Sequence, residues 1–254
     1  MTAFFALKQD EFVPAPHARS PWSPDMLHGR LLGGLAARAI EADSGEGLVP
    51  ARLTVDLFRN SPLLPLAVET VRVRDGRRIR VVDAVISSEQ GPVARASGVF
   101  LRAGEQPEGA HQDTPAWDET PPTKDPEPSG DWEPPFHLWR LTDWQETGPR
   151  RAWMRERHLL VDDEPLSPFV RAALAADFAS PMSNMSSTGL HFINADYTLT
   201  LSRLPEGDAL GMESSGHLSA GGVATGQCVL HDERGPVGFC LVTAVANAVP
   251  IGTR

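Results

Sequence analysis

Two widely separated segments of the 254-residue chain share one pattern: a strand, a polar turn, Gly-Pro-Val and a second strand. They lie at residues 86–101 and 230–245, and aligning Gly91 with Gly235 gives an offset of 144 residues. A repeat this long indicates two similar modules, because solenoid repeats recur at about 20–50 residues. The chain is therefore expected to contain one fold twice.

The same offset aligns two apolar helices, predicted at residues 28–42 and 166–180. Gly33 of the first helix falls on Asp177 of the second, so only the second helix carries an ionisable group at this place. Glycines at Gly33 and Gly34 lower helix stability. They predict that another group packs very close to the backbone there.

Alternating apolar residues predict strands after each helix and at the start of the second half. They lie near residues 50–59, 66–74, 78–88, 92–102, 136–144, 150–161, 191–203, 209–218, 222–232 and 236–248. A helix followed by antiparallel strands predicts an α+β fold in which a curled sheet covers the helix. The predicted division is an N-terminal module at 1–103, a linker at 104–135 and a C-terminal module at 136–254.

The linker at 104–135 has a composition unlike the rest of the chain, with eight prolines and nine acidic side chains against one lysine. Such a segment buries too little apolar area to offset its ordering entropy. We expect it to have little regular structure and to be partly mobile. Deleting much of it should leave the fold intact, unless Trp117 or Trp132 docks onto the body. It also accounts for most of the net charge of −10.

Several classes of function are disfavoured. No basic cluster indicates nucleic acid binding, no run reaches the roughly 18 apolar residues of a membrane span, and the N-terminus lacks a secretory pattern. The histidines show no zinc spacing, and nucleophile elbows, phosphate loops and dinucleotide-binding glycine motifs are missing. Cys228 and Cys240 are predicted to be reduced thiols, close together across a hairpin in a cytoplasmic protein.

Asp177 is the strongest candidate for a catalytic residue. Its neighbours at helical spacing are Phe169, Val170, Ala173 and Leu174, so this helix face should be buried. A carboxylate there must be hydrogen-bonded or have a raised pKa. A general base needs that environment. The alternative is a helix-end aspartate that reaches solvent or caps the following loop.

Asn194 stands on the next predicted strand, where its amide would hold a water or a carbonyl oxygen, or else bond only to the backbone. Asp196 shares its face if strand pairing is regular. The predicted loop at 180–189, rich in hydroxyls and methionine, either lines an acyl pocket or is an ordinary flexible loop. His28-Gly29 opens the first helix, where backbone N–H groups meet an oxyanion or where the histidine is simply a cap.

The chain resembles the acyl-CoA thioesterase II type, a double-hotdog family, along nearly its whole length. The first half matches in Leu-His-Gly-Arg-Leu-Leu-Gly-Gly and in Asp-Leu-Phe-Arg-Asn-Ser-Pro. The second half matches in Ala-Ala-Asp-Phe, in Asn-Ala-Asp-Tyr-Thr-Leu-Thr-Leu-Ser-Arg and in the last Gly-Pro-Val hairpin. The resemblance implies two fused hotdog modules, each a central helix wrapped by a curved antiparallel sheet.

The resemblance also implies a site. The family orients the attacking water with an Asp on the second helix, a Thr or Ser on the next strand and a Gln in the last strand. These positions fall on Asp177, Asn194 and Val242, with Thr243 beside Val242 as a further catalytic candidate. Substrate contacts are expected from His28, Gly29, Gly33, Gly34, Met182 and Met185. The implied reaction is hydrolysis of an acyl-CoA or another acyl thioester, with Asp177 orienting and deprotonating water.

Two other functions compete with the thioesterase interpretation. A hotdog enoyl-CoA hydratase needs an aspartate five residues before a histidine, and the chain has no such pair. A non-catalytic acyl or acyl-CoA binding protein is favoured by the apolar Val242. The thioesterase interpretation predicts no metal, no cofactor except coenzyme A as part of the substrate, no nucleic acid or membrane partner, a homodimer, and a place in fatty acid metabolism.

Overall fold

A computed structural model describes residues 1–126, 134–144, 146 and 148–251. Its helices are α1 (Gly29–Ser44), α2 (Pro168–Ala176) and α3 (Ala179–Asn184), with a short 3₁₀ turn at Pro16–Ala18. Its strands are β1 (Ala3–Lys8), β2 (Glu11–Pro14), β3 (Val49–Leu57), β4 (Ala67–Asp75), β5 (Ile79–Ser88), β6 (Gly91–Leu101), β7 (Phe136–Arg140), β8 (Arg151–Glu156), β9 (Leu159–Val161), β10 (Met185–Ser186), β11 (Gly189–Leu201), β12 (Ala209–Ala220), β13 (Val223–Asp232) and β14 (Gly235–Ile251).

One large antiparallel sheet dominates the fold. Its strand order is β4-β5-β6-β3-β11-β14-β13-β12-β8-β7, and β10 pairs with β11. The strands after α1 are ordered β3-β6-β5-β4, and those after α3 are ordered β11-β14-β13-β12. Two copies of one fold require such a repeated order. The division into modules and the superposition of the two halves stay predictions.

The two halves meet where β3 pairs with β11. Thr54 lies opposite Thr198, and their hydroxyl oxygens are 3.1 Å apart. The two residues are 144 positions apart, the offset that the hairpin motifs gave. A residue that pairs with its own counterpart lies on the axis relating two equivalent antiparallel strands, so this threonine pair marks a local two-fold axis.

The helices lie on the inner face of the sheet, where they bury the main apolar core. α1 packs on β3, β4, β5 and β6, while α2 packs against α1 and β11, and α3 against β11–β14. Ser167 caps α2 by accepting a hydrogen bond from the Val170 N–H, and Pro168 is its first residue. This is the start that Ser and Pro favour. Within the described residues, no helix combines the length and the apolar character needed to cross a membrane.

Parts of the chain differ from the sequence-based prediction. The helix predicted at 166–180 ends at Ala176, and α3 then takes up residues predicted as a loop. The strand predicted at 150–161 is two strands, because β9 leaves the large sheet and pairs in parallel with β1. The resulting small sheet, β2-β1-β9, was not predicted. Its order depends on pairing between distant segments, which local periodicity does not report.

The linker has no helix or strand in its described residues, 104–126 and 134–135, which confirms the predicted lack of regular structure there, while its mobility stays a prediction. It is nevertheless docked at Trp117. The Trp117 ring stacks on the His231 ring, with centroids 4.3 Å apart, and its Nε1–H donates to Glu213 at 3.1 Å. Trp132 lies outside the described residues. The linker is thus fixed to the outer face of β12 and β13 at Trp117, and its Pro122 and Lys124 carbonyls accept hydrogen bonds from Arg155 and Trp139, each at 3.0 Å.

The two cysteines lie opposite each other on β13 and β14, and both are buried free thiols. This confirms the prediction from their positions around the Gly235 turn. Burial raises the pKa of each thiol. Cys228 and Cys240 therefore act as small core side chains.

Candidate functional site

Asp177 follows the last turn of α2 and is carried by it into the interior. The helix residues before it, including Val170, Ala173 and Leu174, are buried as their spacing predicts. Asp177 itself is 8% exposed. It is therefore not a solvent-facing helix end, and its carboxylate needs partners inside the protein.

Asn194 supplies one of those partners. Its Nδ2 donates a hydrogen bond to Asp177 Oδ1 at 2.7 Å. The contact depends on a β-bulge: Asn194 pairs with Ala244, but Asp196 already pairs with Thr243, so Ala195 is the extra residue. A bulge re-aims side chains. Asn194 consequently points inward, whereas Asp196 points to the outer face, and the shared face expected for regular pairing is not observed.

The start of α1 lies against the other side of the carboxylate. His28 Nδ1 is 3.9 Å from Asp177 Oδ2 and accepts a hydrogen bond from the Arg30 N–H at 3.4 Å. A Cβ at Gly29 would lie 3.7 Å from Asp177 Oδ1 and 3.4 Å from Leu57. Because the first N–H groups of a helix lack partners within it, this end of α1 presents positive partial charge toward the site.

Burial controls the protonation of both ionisable groups in this cluster. It raises the pKa of Asp177 above the usual aspartate value, while the Asn194 hydrogen bond and the charge of Arg30 offset part of the rise. Burial, together with Arg30, lowers the pKa of His28 to about 3. His28 is therefore neutral near pH 7, and Asp177 is a more basic carboxylate than a solvated one.

Thr243 is not brought to this cluster. It lies on the outer face of β14, where its hydroxyl donates to Asp196 Oδ2 at 2.7 Å and its N–H donates to Asp196 Oδ1 at 2.9 Å. Its neighbour Val242 points inward, is fully buried and pairs with Tyr197. Successive strand residues face opposite sides, so the sheet cannot direct both Val242 and Thr243 toward Asp177.

Gly33 and Gly34 do have groups packed closely against them, as predicted, and these groups are the protein's own side chains. A Cβ at Gly33 would lie 1.8 Å from the Tyr197 hydroxyl oxygen, and one at Gly34 would lie 2.7 Å from Leu174 Cδ2. The Tyr197 hydroxyl donates to the Ala173 carbonyl at 3.0 Å. The space at both glycines is filled by core packing.

The 144-residue offset shows what the first half has in place of the polar pair. Gly33 is the counterpart of Asp177, and Pro50 is the counterpart of Asn194. β3 has its bulge next to Pro50, as β11 has next to Asn194. The first half thus keeps the backbone irregularity but has no side chain that could hold a water there, and Tyr197 occupies the space.

The two methionines expected at an acyl pocket lie on and after α3. Met182 is fully buried in the core, and Met185 is half-buried at the start of β10. In α3, which replaces the predicted loop, the Ser183 hydroxyl donates to the Ala179 carbonyl at 2.6 Å, and Gly226 leaves room for that hydroxyl. A glycine within a strand often marks such a close approach. Gly226 is therefore the residue in the sequence that could have indicated this contact.

Sequence reasoning missed three residues at or beside the candidate site. Arg30 and Tyr197 are buried near Asp177, and Glu156 is the ion-pair partner of Arg30. Tyr197 is the only tyrosine in the chain, which could have drawn attention to it. Arg30 carried no comparable signal, because an arginine in the first turn of a helix is usually solvated. The described residues contain no group of three or more His, Cys, Asp or Glu side chains able to hold a metal ion.

Solved structures resemble the chain over almost all of its length. Acyl-CoA thioesterase II TesB2 from Mycobacterium marinum has a TM-score of 0.69 and 17% identity, covering 98% of this chain and 96% of that chain. A hot dog fold protein of unknown function from Alicyclobacillus acidocaldarius has a TM-score of 0.72 and 15% identity, covering 97% and 96%. These likenesses establish a hotdog fold.

Family models identify the chain more narrowly. The model of the acyl-CoA thioesterase N-terminal domain matches residues 18–101, and that of the C-terminal domain matches residues 108–245. The chain therefore belongs to the acyl-CoA thioesterase family. No curated protein shows significant sequence similarity to it.

Proposed function

We propose that the protein is a double-hotdog thioesterase that hydrolyses an acyl-CoA, or another acyl thioester, by attack of a water oriented by Asp177. The observation that carries the proposal is the 2.7 Å hydrogen bond between Asn194 and Asp177 at the start of α1. A buried carboxylate, an amide that orients it and a helix N-terminus are the parts that general-base hydrolysis of a carbonyl compound needs.

In the proposed step, the Asp177 carboxylate accepts a proton from water while the water oxygen bonds to the thioester carbonyl carbon. Oδ2 is the better-placed oxygen, because Oδ1 already accepts from Asn194. The carbonyl oxygen gains negative charge, which N–H groups at the start of α1 stabilise. The carbon–sulfur bond then breaks, and the thiolate leaves with the proton held by Asp177. Neutral His28 lines the approach without adding charge.

This reaction needs neither metal nor redox chemistry, and coenzyme A enters as part of the substrate. We also propose a homodimer, a cytoplasmic location and a role in fatty acid metabolism, in keeping with the family. A monomer mass by light scattering at micromolar concentration would contradict the dimer.

A second candidate is an acyl or acyl-CoA binding protein without turnover. The buried valine at position 242 favours it, because the family's water-orienting glutamine was expected there. The residue paired with Asn194 is Ala244, which is also apolar. In this alternative, Asp177 and Asn194 are a polar pair of the binding site that lacks a third group to hold the water.

Turnover and binding, measured on the same acyl-CoA panel, test the proposal. Free-thiol detection follows hydrolysis from short to long acyl chains, and calorimetry follows binding of the same compounds. We expect thiol release that depends on enzyme concentration and saturates with substrate. Binding without thiol release across the panel would instead support the binding protein, and neither binding nor release would refute both functions.

A further inference from the structure

Arg30 is a buried charge that the proposed mechanism leaves unused. It lies in the first turn of α1, two residues after His28, and is 1% exposed. Its Nη2 forms an ion pair with Glu156 of β8, and its Nε donates to the Leu174 carbonyl at 3.3 Å. Burying an arginine is costly unless it is paired and hydrogen-bonded, so this position calls for an explanation.

The bonds of Arg30 connect the two sides of the candidate site. Leu174 stands three residues before Asp177 in α2, and Arg30 follows directly after Gly29, which lies against the Asp177 carboxylate. The Nε bond therefore fixes the start of α1 to the helical turn that carries Asp177. The Phe136 ring covers the guanidinium at 4.8 Å. A charge in such apolar surroundings acts on its neighbours more strongly than it would in water.

The other titratable groups that face Asp177 are neutral near pH 7. Burial lowers the pKa of His28 to about 3, and burial raises the pKa of both Tyr197 and Cys240. Asn194 carries no charge. Arg30, the ion-pair partner of Glu156, therefore provides the nearby charge that acts on Asp177.

We propose that Arg30 is a positioning residue that holds the start of α1 against Asp177 and sets, through its charge, the lowest pH at which Asp177 works as a base. The inference rests on the proposed thioesterase function. The charge of Arg30 lowers the pKa of Asp177 and so opposes the rise caused by burial. Without that charge, Asp177 would stay protonated to a higher pH and would lose activity there.

Substitutions that remove or keep the positive charge test this directly. Arg30→Met combined with Glu156→Gln removes it without leaving a buried unpaired carboxylate, a replacement that proteins often tolerate. Arg30→Lys keeps the charge, and Glu156→Gln alone keeps it while removing its partner. The readouts are the pH dependence of kcat/KM, normalised to its plateau, and the titration of the Asp177 carboxyl by ¹³C NMR, assigned through Asp177→Asn.

We expect the double variant to move the acidic limb to higher pH. At the pH of the wild-type midpoint, its normalised rate should be at least about twofold below wild type, and the NMR titration should move in the same direction. Arg30→Lys should restore the wild-type limb, while Glu156→Gln should leave it unchanged or move it to lower pH.

An acidic limb and an NMR titration that coincide with wild type in the double variant would overturn the inference, even if the melting temperature falls. If the double variant does not fold, the single variants decide. The inference is then overturned if the acidic limb of kcat/KM moves to higher pH in Arg30→Lys or in Glu156→Gln. The proposed function fails by a different result, an Asp177→Asn variant that keeps full hydrolysis. The NMR titration would still measure the effect of Arg30 in that case.

Discussion

Asp177→Asn separates the proposed catalytic role of the carboxylate from its structural role. The substituted amide has the same shape, and its oxygen can still accept the 2.7 Å hydrogen bond from Asn194. It cannot accept a proton from water. We therefore expect the hydrolysis rate to fall about 10²–10⁴-fold, the usual range for losing a positioned acid–base group. This corresponds to about 3–5 kcal/mol in the activation barrier.

Stability should not fall with the rate. The pKa of Asp177 is raised in the folded state, so its ionised form opposes folding when the pH is above that pKa, and this cost disappears as the pH falls. The neutral amide removes the cost. Asp177→Asn is thus expected to melt at or above the wild-type temperature near pH 7 and to bind acyl-CoA as before.

The assay is thiol release from the best acyl-CoA of the panel, with calorimetry and thermal unfolding on the same samples. Asp196→Asn is the matched control, because Asp196 lies on the same strand as Asn194 but bonds to Thr243 on the outer face. It should keep the wild-type rate. The mechanism is refuted if Asp177→Asn turns over normally, or if the control loses as much activity as Asp177→Asn.

Three further substitutions have defined outcomes. Asn194→Ala should reduce the rate less than Asp177→Asn, because it removes an orienting bond and leaves the proton acceptor; an equal loss in single-turnover assays would contradict this order. Gly33→Ala places a methyl group 1.8 Å from the Tyr197 hydroxyl oxygen, so we expect a loss of about 1–3 kcal/mol, partly restored by Tyr197→Phe in denaturant unfolding. Trp117→Ala should lower the melting temperature, and an unchanged value would show that the docking of Trp117 adds no stability.

Much of the fold was predictable because local patterns carry it. The alternation in residues 50–59 and 66–74 and the Gly-Pro-Val turns placed most strands of the large sheet close to their observed bounds. The apolar stripes placed α1 and the start of α2. The 144-residue offset, read from two hairpins, reappears as the pairing of Thr54 with Thr198.

The rest depends on contacts between distant residues. No local sequence pattern indicates that Ala195 is the extra residue of a β-bulge. This bulge nevertheless turns the Asn194 side chain inward and the Asp196 side chain outward. The small sheet needs β1 to meet β9 across more than half of the chain. The candidate carboxylate was predictable from its apolar helix, whereas Arg30 was not, because its burial is decided by Glu156 and by the packing of α2.

The difference between the two halves at one helix position has a consequence for symmetry. Two identical subunits must place the same residues at every equivalent position, so a symmetric pair would carry either two carboxylates or none. A single chain that supplies both helices is free of that constraint. Here one position has Asp177 and the other has Gly33, with Tyr197 filling the space. A single chain can therefore pack Tyr197 at one of the two positions and keep a carboxylate at the other.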